Sequence, residues 1–205
     1  MRLPKFGFFL GLAAMIGLLN GCAYSLHPLY NPDENVREPG LVGTWVSTEN
    51  NKANNTVTIR ENADGTYEAV GTSPDSHVEQ DYKVHLVRLG NNLFADAIFD
   101  DQLSNGKNMD LPAGVVPLHY FYKVSITGDT LQFAQLNHDW LIQQFDAKKI
   151  SIAHEIMGEK PGSDILFTAS PAELQRFIRQ IADTPGAFGQ PDVAHRQTHT
   201  GAGAK

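Results

Sequence analysis

The stretch NTVTIRENADGTYEAVGT, residues 55–72, contains two strand-like runs on either side of a turn. In its first half Val57 and Ile59 alternate with polar residues, which is the two-residue period of a half-buried β-strand. Its centre, ADG at 63–65, supplies the residues that a tight hairpin turn requires. The second half, GTYEAVGT, is again rich in β-branched and aromatic residues. The stretch therefore predicts an antiparallel β-hairpin.

The same alternation of short strands and turns continues on both sides of this hairpin. Further turn signals, GNN at 90–92 and TGD at 127–129, separate neighbouring apolar runs. The predicted strands are residues 43–48, 55–61, 65–72, 81–90, 92–100, 118–128 and 129–136. Consecutive hairpins form a meander, and a meander without parallel crossover helices removes its exposed edges by closing on itself. We therefore predict a mainly β fold built on an antiparallel up-and-down barrel.

The segment LVGTWV at 41–46 adds a motif to this architecture. Gly43, Thr44 and Trp45 begin the first predicted strand, after a Pro-Gly break at 39–40. These three residues resemble the Gly-x-Trp motif that opens lipocalin-type barrels. The resemblance implies a lipocalin-like or calycin-like barrel in which Trp45 closes the base. An ordinary core position for Trp45 fits the same barrel.

Residues 170–183, SPAELQRFIRQIAD, predict a helix near the end of the domain. Ser170 and Glu173 form a capping box around Pro171, which is favourable at the first helical position. The apolar residues then recur at helical spacing. This stripe, which we expect to pack on the barrel, consists of Leu174, Phe177, Ile178 and Ile181.

A second, shorter helix is predicted at 137–148, with Asn137 as its N-cap. Residues 150–156 and 164–169 predict strands between the two helices. The pattern DWL…ILFTASPAELQRFI is similar to an arrangement that recurs in bacterial lipoproteins, and this resemblance implies no particular activity.

The single cysteine of the chain lies in LLNGCA at 18–23. Arg2 and Lys5 precede an apolar segment of 14 residues, 6–19, which is shorter than the roughly 20 residues of a membrane-spanning helix. This arrangement is typical of a secretory signal. Residues 19–22, LNGC, resemble the lipobox of bacterial lipoproteins, which implies that residues 1–21 are removed and that the Cys22 sulfur carries lipid. The alternative is a plain signal peptide followed by an incidental cysteine.

The lipobox resemblance has consequences for location and domain organisation. More than one acyl chain on Cys22 would anchor the protein durably, so the membrane is a predicted partner. The protein would be in the cell envelope and face the periplasm; Ala23 resembles the default outer-membrane sorting signal of Gram-negative lipoproteins. Because residues 22–40 are polar and proline-containing, we expect a tether there. The barrel domain with its helices is assigned to 41–185, and 186–205 to a mobile tail containing His195 and His199.

The charge balance excludes some partners. The chain has 16 basic and 23 acidic residues and a formal net charge of −7, which becomes −9 once Arg2 and Lys5 leave with the signal. Nucleic acids and anionic lipid headgroups attract clustered Lys and Arg, and the sequence contains no basic run. With Cys22 lipidated no disulfide can form, so burial alone must stabilise the fold.

The sequence contains no recognisable catalytic motif. It has no Gly-x-Ser-x-Gly elbow, phosphate-binding loop or His-Glu-x-x-His zinc motif. His119, His138 and His154 could meet carboxylates across strands, but no pattern brings them together, and His154 and Glu155 would point to opposite faces of a strand. We therefore predict no catalytic residue, no metal ligand, no cofactor and no enzymatic activity.

The long segment 100–117, DDQLSNGKNMDLPAGVVP, is the predicted functional loop, because long loops on rigid barrels tend to carry function. Its apolar residues Met109, Leu111 and Val115 are the predicted ligand-binding residues, as a lid over the barrel mouth; alternatively they form an apolar docking surface or plug the barrel. The first hypothesis is a non-enzymatic barrel that binds a small apolar ligand. The second is an envelope protein-interaction or assembly factor with a filled barrel. Large side chains that favour a filled barrel, if they point inward, are Trp45, Tyr67, Phe94, Phe99, Tyr120 and Phe133.

Overall fold

The structure, a computed structural model, describes residues 21–31, 34, 36–47, 55–72, 79–99, 116–159 and 162–198. The predictions for the signal segment up to residue 20, for His199, and for Met109, Leu111 and Val115 lie outside these residues. The strands are β1 Ala23–Ser25, β2 Gly43–Ser47, β3 Asn55–Glu61, β4 Tyr67–Thr72, β5 Glu79–Leu89, β6 Asn92–Phe99, β7 His119–Thr127, β8 Thr130–Gln135, β9 His154–Met157, β10 Asp164–Phe167 and β11 Asp192–Arg196. The helices are α1 His138–Asp146 and α2 Pro171–Ile181, with a 3₁₀ turn at Pro39–Leu41.

Eight antiparallel strands form a closed barrel. Strands β2 to β8 pair in sequence order, as the turn signals predict, and β11 pairs with both β8 and β2 to complete the ring. The turns between β3 and β4, β5 and β6, and β7 and β8 lie at one end, which we call the base. Each contains a glycine with positive φ, at Gly65, Gly90 and Gly128. The opposite end, where β2, β4 and β6 finish, is called the mouth. The mainly β barrel fold is thus confirmed.

The prediction of a mobile tail at 186–205 is wrong for residues 192–196, which form the closing strand β11. Ala194 pairs with Ser47 on one side and Leu131 on the other. The small apolar side chain of Ala194 faces the barrel interior, whereas the side chains of Val193 and His195 are exposed. A strand with one small inward residue has no apolar period for the sequence to display.

The description of residues 22–40 as a tether is also wrong for its first part. Ala23 and Ser25 belong to β1, which pairs in parallel with β10, while Ser25 also pairs with His119 of β7. Leu29 is fully buried. Strands β1, β10 and β9 thus extend the sheet beyond the barrel wall. This N-terminal segment is therefore packed on the domain, and its partners lie too far away in the sequence for a local pattern to reveal the packing.

Two apolar cores lie on opposite faces of the barrel wall. The inner core lies inside the barrel and includes Trp45 and Tyr67. The outer core lies between the helices and the outer face of β5, β6 and β7, and it contains Phe94 and Phe121. Phe94 therefore does not fill the barrel, because its position in β6 has the opposite parity to the inward residues Leu93 and Ala95.

Both predicted helices are confirmed, with their caps. The Asn137 side chain accepts a hydrogen bond from the Trp140 N–H at 3.1 Å and begins α1. The Glu173 carboxylate accepts a hydrogen bond from the Ser170 N–H at 3.0 Å in the capping box of α2. The stripe of α2 is buried in the outer core, as predicted, through Leu174, Phe177, Ile178 and Ile181.

Replacing Phe177 with alanine should lower the free energy of unfolding by ~3–5 kcal/mol, the usual cost of truncating a buried phenylalanine. The Phe177 side chain is 5% exposed and its ring lies 5.8 Å from that of Phe167. Urea denaturation measures the change. The exposed Gln180→Ala on the same helix is the control and should change stability by less than about 0.5 kcal/mol. Equal stabilities of the two variants would contradict the docking of α2.

Candidate functional site

The interior of the barrel contains an apolar cavity of about 200 Å³. Three alanines on two strands, Ala69, Ala95 and Ala97, occupy positions where larger side chains would fill this space. The other residues that line it are Leu41, Val57, Ile59, Tyr82, Val84, Tyr122, Val124, Leu131 and Phe133. The side chains of the barrel therefore do not fill its interior completely.

The polar side-chain groups in the lining of this cavity are two tyrosine hydroxyls. The Tyr122 hydroxyl accepts a hydrogen bond from Gln135 Nε2 at 3.0 Å. Burial raises the pKa of Tyr122 to about 12, and burial also raises the pKa of Tyr82. Both hydroxyls are uncharged at neutral pH, so the lining carries no formal charge. Such a cavity is suited to an uncharged, apolar group, because a charged group would be desolvated there without a partner.

A second space, of about 520 Å³, adjoins the first on the side of β2 and β11. Val57 and Phe133 line both spaces. Trp45, Ser47 and Asp192 also line the larger one, so it is the more polar of the two. Its volume is within the roughly 300–1,000 Å³ of small-molecule sites, whereas the apolar cavity is smaller.

Trp45 and Arg196 pack against each other inside the barrel. Trp45 is fully buried, and its indole N–H donates to the Leu41 carbonyl at 2.9 Å. The Arg196 guanidinium lies 4.2 Å from the centre of the Trp45 ring, a cation–π contact. It also donates to the carbonyls of Val42 at 2.6 Å and Gly40 at 2.7 Å.

The position of Arg196 also explains why residue 43 of the Gly-x-Trp motif is a glycine. Its φ is +144°, and a Cβ at this position would overlap the Arg196 guanidinium. The sequence interpretation missed Arg196 because it lies in the region assigned to the tail. Only the pairing of β11 with β2 brings its side chain over Trp45.

A buried polar cluster lies outside the barrel wall, beside β6. Asp96 is fully buried, and its carboxylate contacts His119 Nδ1 at 2.7 Å and accepts a hydrogen bond from the Leu29 N–H at 2.6 Å. The Gln175 side chain donates to the Leu29 carbonyl at 2.9 Å. These contacts fasten the segment after β1 to the barrel and to α2. Asp96 was not predicted, although it is the one charged residue in the apolar strand NLFADAIF.

His85 and Tyr30 complete this cluster. Their rings stack with centres 3.8 Å apart. Burial lowers the pKa of His85, which keeps it neutral at neutral pH, and burial raises the pKa of Tyr30. Uncharged rings can stack in this partly buried place without the desolvation cost of a charge.

The histidines considered from the sequence do not form one site. His119 contacts Asp96, but His138 contacts its neighbour Asp139 at 3.1 Å, and His154 contacts the Ile152 carbonyl at 2.8 Å. Among the described residues, no group of three or more His, Cys, Asp and Glu side chains is placed to hold a metal ion. No helix in this part of the chain is long and apolar enough to cross a membrane.

Cys22 is exposed and lies at the mouth. Its N–H donates to Asp164 Oδ1 at 2.7 Å, and its carbonyl accepts from the Ile165 N–H at 2.8 Å. Tyr24 packs edge-on against Tyr120, with ring centres 5.2 Å apart. Burial, together with a hydrogen bond to the Cys22 side chain, raises the pKa of Tyr24. The cysteine backbone is therefore held by the fold while its side chain reaches solvent.

No protein-family model, curated protein or solved structure matches the chain. Inferences about function therefore depend on the residues and geometry described above.

Proposed function

We propose that this protein is a lipid-anchored envelope lipoprotein whose barrel binds a small apolar ligand without catalysis. The observation that carries the binding proposal is the uncharged cavity of about 200 Å³ inside the barrel, next to the larger space at the mouth. An apolar cavity with a few oriented polar groups is the usual form of a small-molecule site. The tyrosine hydroxyls of Tyr82 and Tyr122 would supply those groups.

The large side chains do not occupy the whole barrel interior. Trp45 and Tyr67 are fully buried in the inner core, and Tyr120 and Phe133 pack against it, whereas Phe94 points into the outer core and Phe99 is 45% exposed. Ala69 of β4 and Ala95 and Ala97 of β6 leave space inside the barrel. A ligand would recover the dispersion contacts that the cavity walls lack.

The anchor part of the proposal rests on the lipobox resemblance of LNGC at 19–22 and on the exposure of the Cys22 side chain. A lipid on an exposed sulfur can reach a membrane, whereas a buried thiol could not carry one. The proposed location is the envelope, facing the periplasm, and the outer membrane in a Gram-negative cell.

A protein-interaction role is the second candidate, favoured by strand β9. Among the described strands, β9 is at the outer end of the sheet extension and pairs only with β10. Ile156 of this strand is 39% exposed. An unpaired strand edge with an apolar side chain can accept a strand from another protein.

Fluorescence of Trp45 tests ligand binding directly. The chain has two tryptophans, so Trp140→Phe leaves Trp45, at the larger space, as the only one. In a chain of residues 22–205 that carries Cys22→Ser, a brominated fatty acid should quench Trp45 strongly. Mass spectrometry of gently purified protein should also find an apolar molecule.

The control variants separate cavity binding from surface binding. Ala97→Leu adds volume inside the cavity and should abolish the quenching, whereas Ala172→Leu, on the exposed face of α2, should leave it unchanged. Circular dichroism checks that both variants fold, since overpacking costs about 1–3 kcal/mol. Absence of quenching in the parent protein would contradict ligand binding, and pull-down with β9 variants would then test the second candidate.

A further inference from the structure

The residue that would carry the lipid is joined to the domain without a spacer. Cys22 donates to Asp164 and accepts from Ile165 through its backbone, and Ala23 is already the first residue of β1. A lipid on the Cys22 sulfur begins at the membrane surface. The surface of the protein around Cys22 must then lie at the membrane as well.

That surface is the mouth of the barrel. Tyr120 lies near the start of β7 and Gln135 at the end of β8, both at the mouth, and with Cys22 they line a small space of about 40 Å³. Gln135 in turn donates to the hydroxyl of Tyr122, which lines the apolar cavity. Gln135 thus connects the surroundings of the attachment point to the lining of the cavity.

Exposed apolar side chains are concentrated around the same end. Phe99 is 45%, Val116 57% and Val193 39% exposed, and these residues lie at the end of β6, before β7 and in the first part of β11. Ile156, 39% exposed, lies in the sheet extension that also holds Cys22. Among the described residues the remaining exposed large apolar side chain is Val42, near the base. Apolar side chains beside a lipid anchor add to membrane binding by burying their area at the interface.

We infer that the lipidated protein stands with its barrel mouth against the membrane, and that the cavity takes an acyl chain from a membrane lipid. This inference rests on the lipidation and the ligand binding proposed above. Described charged residues near the mouth are mainly acidic: Glu79, Asp164 and Asp192, together with the basic Lys83 of β5. Acidic side chains are repelled by anionic headgroups, so the expected surface is zwitterionic, such as phosphatidylcholine.

The orientation is tested with one introduced thiol at each end. Lipidation consumes the sole native cysteine, so a new cysteine can be labelled alone. Val193→Cys at the mouth and Val42→Cys near the base are a matched pair, because the native side chains are 39% and 37% exposed. Each lipidated full-length protein is labelled with a fluorophore and placed in phosphatidylcholine vesicles with brominated acyl chains. We expect several-fold stronger quenching at 193 than at 42; equal quenching, or stronger quenching at 42, would overturn the inference.

A second measurement in the same vesicles tests the source of the acyl chain. The lipidated Trp140→Phe protein should lose Trp45 emission in brominated vesicles, and Ala97→Leu should restore that emission while leaving the quenching at 193 unchanged. Strong quenching at 193 without quenching of Trp45 would overturn the membrane lipid as ligand.

The outcomes separate this inference from the proposed function. If a soluble brominated fatty acid quenches Trp45 and the protein incorporates palmitate, but position 193 is not close to the bilayer, ligand binding and anchoring stand and the orientation is wrong. If the wild-type protein takes up no palmitate and does not associate with the vesicles, the proposed anchor is contradicted and the orientation is overturned with it.

Discussion

Replacing Cys22 with serine is expected to release the protein from the membrane fraction completely and to abolish palmitate incorporation. A serine hydroxyl cannot form the thioether that a lipobox cysteine carries. The fold should not change, because Asp164 and Ile165 bind the backbone of residue 22 rather than its side chain. The measurements are fractionation of a bacterial host and labelling with radioactive or alkyne-tagged palmitate.

The control for this variant is a thiol placed elsewhere. Ser125 is exposed on β7, far in sequence from LNGC. Ser125→Cys in the Cys22→Ser background restores a free thiol to the chain, but it should restore neither palmitate labelling nor membrane association. Continued labelling of the Cys22→Ser protein would show that the lipobox interpretation is mistaken.

Deleting residues 191–205 is expected to prevent the barrel from folding. The deletion removes β11, so β2 and β8 each lose a neighbouring strand. It also removes the Arg196 guanidinium from Trp45 and from the carbonyls of Val42 and Gly40. Because a domain of this kind is stable by only about 5–15 kcal/mol, losing one of eight strands and the contacts at the base should leave no cooperative thermal transition. The two exposed edges should also promote aggregation.

A shorter deletion is the matched control. Removing 199–205 retains β11 and the hydrogen bond from the Gln197 N–H to the Thr44 carbonyl at 2.8 Å. That protein should melt like the full chain in circular dichroism and elute as a single peak in size-exclusion chromatography. If the longer deletion also melted like the full chain, β11 would not be needed for closure.

The features that the sequence predicted correctly are local ones. The alternation around Val57 and Ile59, the turn glycines Gly90 and Gly128, and the capping box of α2 each involve residues within a few positions of one another. Backbone geometry determines such patterns directly, because a strand has a period of two and a helix of 3.6. This is why the meander from β2 to β8 and the stripe of α2 could be read from the amino acids alone.

The features that were missed depend on distant partners. Strand β11 pairs with β2, and β1 with β10, across most of the chain. Strand β1 has three residues and β11 has five, so both are too short to display a clear apolar period. Polar composition therefore suggested a tether and a tail, whereas each segment is held in place by the backbone donors and acceptors of strands already in the sheet.

The candidate site divides in the same way. The sequence by itself determined the β meander, the amphipathic helix and the resemblance of LNGC to a lipobox, because each depends on residues that are close together in the chain. Only the tertiary structure decided that β11 closes the barrel, that Ala69, Ala95 and Ala97 leave an apolar cavity, and that Cys22 lies at its mouth. The physical reason is that closure and cavities arise from side chains converging from strands far apart in the chain, and no local period records which residues will meet.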